Sequence, residues 1–234
     1  MYPRQWLQQT SDWIKQAMPG YCSFCLAPAL AGVGWCDACL QELPWNTRAC
    51  QQCGEPIAHN TSLCGHCLMD PPAFSFTQVG LVYQGGIKDL IHDFKFHASP
   101  RAGILLSELM LLTPPSALGD AFLSVPMFPA RARKRGFNQS SWLAQRLSQQ
   151  LDIPLHSARR VNDAPSQRTL NRQQRAANLA GVFVFDTTPP AHVIIIDDVI
   201  TTGSTGHALA QAALKAGASR VDLWAAARTP LGKD

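Results

Sequence analysis

Along the chain the spacing of apolar positions changes period several times. At residues 77–83 apolar and polar positions alternate, the two-residue period of a half-buried strand. After Gly85-Gly86 the spacing of Ile87, Leu90, Ile91 and Phe94 is helical. A second helix is predicted near 104–112, ending before Pro114-Pro115. Residues 121–125 read as a buried strand closed by Pro126. Residues 138–151 read as a helix with Trp142, Leu143, Leu147 and Leu151 at helical spacing. Another strand is expected at 181–185. Residues 192–196 form a short, continuous apolar run, as expected of a strand covered on both faces. A helix over 205–216, stopped by Gly217, and a strand over 221–227 follow. This alternation implies an α/β doubly wound parallel sheet, with ligands at the carboxyl ends of its strands.

The first third of the chain has a different pattern. Trp6, Leu7, Trp13, Ile14 and Ala17 fall on one helical face, predicting a helix within 1–20 that docks on its own domain or meets a partner or a membrane surface. All eight cysteines then lie between Cys22 and Cys67, as four CxxC pairs: Cys22/Cys25, Cys36/Cys39, Cys50/Cys53 and Cys64/Cys67. The first members are 14 residues apart each time, an internal repeat. Two thiolates separated by two residues turn onto one metal, and two such knuckles complete a closed tetrahedral site suited to structural zinc. An iron–sulfur cluster and a disulfide framework are the competing readings. Consecutive knuckles would give ribbons Cys22/Cys25/Cys36/Cys39 and Cys50/Cys53/Cys64/Cys67. An interleaved cross-brace would join the first knuckle to the third. With eight thiolates available, His59 and His66 read as surface residues. The organisation expected is a helix at 1–20, a double zinc ribbon at 21–72, and an α/β domain at 73–234.

Composition sharpens this picture. Of 234 residues, 46% are hydrophobic and 15% charged, enough apolar sequence for a core and too much for a disordered chain. No apolar run reaches the ~18 residues of a membrane span, and no signal-peptide pattern opens the chain, so a cytoplasmic location is expected. The net charge of +4 hides a segregation. Residues 80–180 carry 13 Lys+Arg against 6 Asp+Glu, and ten of those basic residues lie between Arg131 and Arg175. Such a surface attracts phosphate, whether of a nucleotide or of a nucleic acid, although a solvated basic face has the same composition.

The candidate chemistry follows the apolar run at 192–196. Asp197-Asp198 leads through Val199-Ile200 to Thr201-Thr202-Gly203-Ser204-Thr205 and then a helix. Paired carboxylates at a strand end accept two vicinal sugar hydroxyls or hold a hydrated Mg²⁺. A hydroxyl-rich loop at a helix N-terminus offers N–H groups and a favourable dipole to a phosphate. A simple N-cap would account for Ser204 or Thr205 but not for the acid pair. Neither a Walker lysine nor a GxGxxG motif is present.

The run from Ile194 to Thr205 resembles the PRPP-binding signature of type I phosphoribosyltransferases. That resemblance implies that Asp197 and Asp198 contact the ribose hydroxyls and that Thr201, Thr202, Gly203, Ser204 and Thr205 hold the 5′-phosphate. More of the chain resembles the ComF/GntX family of competence and DNA-utilisation proteins. The likeness is carried by the CxxC ribbons, by Leu90-Ile91-His92-Asp93-Phe94-Lys95-Phe96, and by Ser124-Val125-Pro126 followed by Arg131 and Arg133-Lys134-Arg135-Gly136-Phe137-Asn138-Gln139. It extends through Gln167, Leu170, Arg172, Arg175, Asn178 and Phe183. Relatives often carry a histidine two positions after the Val-Pro pair; this chain has Phe128 there.

The resemblance gives the basic segment a role. It implies a Mg²⁺-dependent PRPP site in which Arg131, Arg133, Lys134 and Arg135 meet the pyrophosphate, with Lys95 a further phosphate ligand. Arg168, Arg172 and Arg175 would lie in a closing loop or contact single-stranded DNA. The function implied is DNA uptake, competence or use of DNA as a nutrient, with DNA-uptake or helicase machinery as partners. An active salvage phosphoribosyltransferase and a non-catalytic PRPP-sensing regulator are the alternatives, and whether the chain is an enzyme stays open.

Overall fold

The structure is a computed structural model and describes residues 20–30, 32–58, 61–128, 133, 136–161 and 181–232. The helix expected within 1–20 falls on residues that, up to 19, lie outside that set, as does His59. The chain divides into two compact units, Met1–Leu43 and Pro44–Asp234.

In the first unit, strands β1 (Gly20–Tyr21) and β2 (Pro28–Ala29) form an antiparallel hairpin, followed by helix α1 (Asp37–Glu42). Cys36 caps that helix, its sulfur accepting from the Cys39 amide at 3.5 Å. In the second unit, α2 (Gly65–Met69) follows Cys64, its N-cap residue, which makes no side-chain cap bond. The repeat in the sequence is a repeat in space. The bonds Cys22 N→Ala27 O, Leu26 N→Cys22 O, Ser23 N→Gly34 O and Leu40 N→Cys36 O recur 28 positions on. Their counterparts are Cys50 N→Glu55 O, Gly54 N→Cys50 O, Gln51 N→Ser62 O and Leu68 N→Cys64 O. The tight turn needs a left-handed residue, held by Leu26 (φ 62°) in one copy and Gly54 (φ 70°) in the other.

The rest of the second unit runs β3 (Phe76–Val82), α3 (Gly85–Phe96), α4 (Pro100–Leu111), β4 (Ala121–Ser124), α5 (Gln139–Leu151) and β5 (Leu155–His156). Then come β6 (Arg159–Arg160), β7 (Phe183–Val184), β8 (His192–Ile200), α6 (Ser204–Lys215) and β9 (Arg220–Arg228). Five strands form one parallel sheet in the order β3-β9-β8-β4-β5. The expected α/β parallel sheet is present. From β4 the chain winds outward to β5, and from β8 it winds outward the other way to β9, so the winding reverses between β4 and β8. A crevice at such a reversal is where ligands bind in open α/β sheets.

Alternation along the strands builds two apolar layers. Val193, Ile195, Leu123, Val221, Leu223 and Ala225 pack with Ala208, Leu209 and Ala213 of α6. Phe122 and Trp224, on the opposite parity, meet edge to face at 6.0 Å. The first layer also contains Cys50, Cys53, Cys64 and Cys67, so the second cysteine cluster is part of the core of the sheet unit.

Some boundaries differ from expectation for local reasons. Helix α4 starts at Pro100 because the Ser99 hydroxyl accepts from the Ala102 amide at 3.3 Å and proline suits the first helical position. The strand expected at 181–185 is the two-residue β7, which pairs antiparallel with β6 outside the main sheet. Strand β8 does not stop before the acids; it pairs with β9 through Asp197, Val199 and Ile200.

Candidate functional site

Although β8 continues through the acids, the two carboxylates line one cavity and differ in their partners. Asp198 is buried, and its Oδ1 lies 3.0 Å from the Lys95 ammonium of α3 and accepts from the Val199 amide at 2.7 Å. Asp197 is half-buried, and its Oδ1 accepts from the Ser140 hydroxyl at 2.8 Å and the Asp198 amide at 2.9 Å. Ser140 is in the first turn of α5, which Asn138 caps by accepting from the Ser141 amide at 3.3 Å. Burial and the adjacent Asp198 charge push the Asp197 carboxyl up to about 7, against the opposing Ser140 hydrogen bond and Lys95 charge.

These groups line a cavity of ≈ 540 Å³ that includes Lys95, Ser140, Arg160, Asp197, Asp198 and Thr205. Its walls also carry Val125 and Pro126 from the end of β4, so it sits at the winding reversal. Beside it, residues Thr201, Thr202, Gly203, Ser204 and Thr205 line a small hollow of ≈ 30 Å³. Gly203 takes φ +75° there as the N-cap of α6, and the hydroxyls of Thr202 and Ser204 are 2.8 Å apart. An acid pair, a neighbouring ammonium and a helix N-terminus lined with hydroxyls thus share one crevice. Such an arrangement suits a polyol that carries an anionic group.

The expected residues divide as follows. Lys95, Asp197, Asp198 and the loop from Thr201 to Thr205 meet at the crevice. Arg133 is described and exposed. Arg131, Lys134, Arg135, Arg168, Arg172 and Arg175 lie outside the described residues. The sequence reading passed over Arg160 and Ser140. Arg160 lies on β6, a strand of two residues, too short for any period to register. Ser140 is a polar residue facing inward at a helix start, where the only signal is the cap at Asn138.

The cysteines form two groups, Cys22/Cys25/Cys36/Cys39 and Cys50/Cys53/Cys64/Cys67, so consecutive knuckles pair and the interleaved cross-brace is excluded. Within each group the sulfurs lie within 4.8 Å of one another. Cys25 and Cys36 are 3.7 Å apart, and Cys53 and Cys64 3.6 Å. Zn–S bonds of about 2.3 Å in a tetrahedron space their sulfurs about 3.8 Å apart, so the donor set fits zinc. Burial raises Cys50, but the N–H groups of Cys64, Cys53 and Gln52 outweigh it and bring that thiol down to about 7. Burial pushes Cys53 up to about 12. A bound dication is what lets all four ionise together.

Comparison with known proteins agrees with this layout. A double zinc ribbon domain model matches residues 13–68. The chain is 35% identical over 173 residues to the DNA utilization protein YhgH of Escherichia coli (strain K12), covering 70% of this chain and 76% of that protein. The YhgH protein of Salmonella typhimurium is 34% identical over the same shares. Competence protein F of Haemophilus influenzae is 31% identical over 176 residues, 70% of this chain and 77% of that one. Among solved structures, orotate phosphoribosyltransferase from Aeropyrum pernix aligns with 55% of this chain and 61% of its own, at a TM-score of 0.35 and 17% identity. The two four-cysteine clusters are the structural zinc sites of a double ribbon. Among the described residues no helix is long and apolar enough to cross a membrane.

Proposed function

The chain belongs to the ComF/GntX family of competence and DNA-utilisation proteins, and from that premise we propose that it serves the uptake of DNA or its use as a nutrient through a PRPP-type ribose-phosphate site. The observation that carries the reading is the crevice where Asp197, Asp198 and the hydroxyl loop converge at the winding reversal. In this reading the Thr201–Thr205 stretch and the first amides of α6 bind the 5′-phosphate, helped by the helix dipole. Asp197 and Asp198 accept hydrogen bonds from the vicinal ribose hydroxyls and fix the ring. Lys95 and Arg160 face the anionic end of the ligand. The two carboxylates are hard oxygen donors suited to Mg²⁺, which would offset phosphate charge. Arg131, Arg133, Lys134, Arg135, Arg168, Arg172 and Arg175 are the candidate partners, by charge, of pyrophosphate or of the backbone of single-stranded DNA.

A second reading, turnover of PRPP, is favoured by one further observation. A groove of ≈ 640 Å³ shares Pro126, Met127, Asn138 and Arg160 with the crevice, which leaves room for an acceptor beside the sugar. Pyrophosphate would then leave with the electrons of its bond to the anomeric carbon, and the acceptor would form the new bond there.

Calorimetry of PRPP with Mg²⁺ against zinc-loaded protein tests the first reading. Binding that disappears in Asp197→Asn/Asp198→Asn is expected, and no binding to the folded wild type would overturn it. Pyrophosphate release, with and without single-stranded DNA or free bases, separates turnover from binding alone.

A further inference from the structure

Among the positions at which the two ribbons differ, one lies at the end of their shared turn. Where the first has Ala27, accepting from the Cys22 amide, the second has Glu55, accepting from the Cys50 amide at 2.8 Å. The Glu55 side chain is largely buried and faces away from its own ribbon. Its Oε1 accepts from the Leu231 amide at 2.8 Å. Its Oε2 lies 2.7 Å from Nη2 of Arg228, as a charge contact and not an aligned hydrogen bond. Arg228, 1% exposed at the end of β9, donates through Nη1 to the carbonyls of Ile200 (3.1 Å), Thr201 and Thr229 (3.0 Å). Ile200 and Thr201 are where β8 passes into the hydroxyl loop. A second route joins the same parts. The segment after Cys67 brings the Ala73 amide to His207 Nδ1 at 3.0 Å and packs Phe74 beneath Gly203 and Gly206.

We infer that Glu55 and Arg228 are positioning residues that make the shape of the Thr201–Thr205 loop conditional on an intact second zinc ribbon. A guanidinium buried this deeply is held by its charge partner, and that partner is held by the turn that closes on Cys50. When the knuckle opens, Glu55 leaves, Arg228 loses its counter-charge, the Thr201 carbonyl loses the guanidinium that anchors it, and the Ile200 carbonyl is left with the Thr229 amide. The consequence for phosphate affinity rests on the function proposed above; the consequence for loop order does not.

Amide hydrogen exchange on the full chain, with no ligand present, tests this. Glu55→Gln preserves the shape and both metal sites. Exchange at Thr202–Thr205 is expected to rise about tenfold or more, while exchange at Val193–Ile196 in the central strand stays slow. Withdrawing zinc from the wild type with a chelator gives the same readout without a mutation. Loop exchange should rise in step with exchange at the Cys50–Cys67 knuckles. A loop unchanged in Glu55→Gln and after loss of the second zinc would overturn the inference, as would a loop that opens only together with the central strand. Calorimetry with ribose 5-phosphate on the same samples completes the experiment. About tenfold weaker binding in Glu55→Gln is expected. A responsive loop in a wild type that binds no ribose 5-phosphate would uphold the relay and refute the ligand.

Discussion

The Lys95 ammonium stands 3.0 Å from Asp198 Oδ1, whereas the neighbouring Asp197 is held by neutral donors, Ser140 Oγ at 2.8 Å and the Asp198 amide at 2.9 Å. One cation is thus shared unequally between two adjacent carboxylates, and Asp197 keeps its proton up to about 7.

The Asp197 contribution to stability should therefore fall as pH rises. Below pH ~4 Asp197 is protonated in both folded and unfolded chains and contributes no difference. Between ~4 and about 7 the unfolded chain loses the proton while the folded one keeps it, so folding weakens with increasing pH. Asp197→Asn should flatten that slope and raise Tm at pH 8 by about 2–4 °C for each kcal/mol relieved. Thermal melts at pH 5, 6.5 and 8 check this. A melting temperature at pH 8 equal to or below that of the wild type would refute it.

The same titration should appear in ligand binding. A carboxylate that accepts hydrogen bonds from a diol or meets Mg²⁺ must be ionised, so affinity for PRPP with Mg²⁺ is expected to climb up to about tenfold per pH unit below about 7, then level off. Calorimetry in two buffers of different ionisation enthalpy should report release of up to one proton at pH 6 and almost none at pH 8.5. Equal release at both values would contradict the assignment.

The two left-handed turn residues give opposite mutational outcomes. At Gly54 an added Cβ would meet Val79 Cγ1 at 2.5 Å and Thr77 Cγ2 at 3.0 Å, at a φ of +70°. Gly54→Ala should cost about 1–3 kcal/mol by overpacking and strain. Leu26 already bears that strain at φ 62°. Leu26→Gly should relieve about 1 kcal/mol and strengthen zinc retention at the first cluster roughly fivefold. Chelator competition on each variant measures both. Loss of metal from Leu26→Gly would be the contrary result.

Binding of single-stranded DNA, if carried by the arginine-rich segment, should weaken steeply with salt through counterion release. Titration of a fluorescent oligonucleotide between 50 and 200 mM salt should give a strongly negative log–log slope, made shallower by Arg172→Ala/Arg175→Ala. An affinity that does not change with salt would discard the arginine track.

What the sequence disclosed depended on how each feature is encoded. The four knuckles and the acid pair were legible because spacing itself is the chemistry: sulfurs at i and i+3, carboxylates after a fully apolar run. The parallel sheet was legible from that run and from the helices around it. The continuation of β8 to Ile200 was not, because charged residues at its end break the apolar signal although the ladder with β9 goes on. Arg159 and Arg160 counted only as charge. In the structure Arg159 is bound to Asp186 through bonds of 2.6 and 2.5 Å, and Arg160 turns to the crevice. The link from Glu55 to Arg228 spans most of the unit, and no local pattern encodes such a pairing.

The order of strands also has a meaning in time. β3 stands at the edge of the sheet, and its sheet neighbour is β9, the last of the described sheet strands in chain order. A nascent chain must therefore hold β3 without that neighbour while nearly the whole unit is made, the kind of long-range pairing that slows folding and exposes an edge. Segments made earlier already grip it. Trp45 bridges Leu81, the Asn46 amide donates to Gly80 O at 2.8 Å, and the Thr77 amide donates to Gln51 O at 2.8 Å. The segment that carries the second ribbon thus holds this edge strand by backbone bonds on the side away from β9, a metal-stiffened splint built from sequence that precedes it.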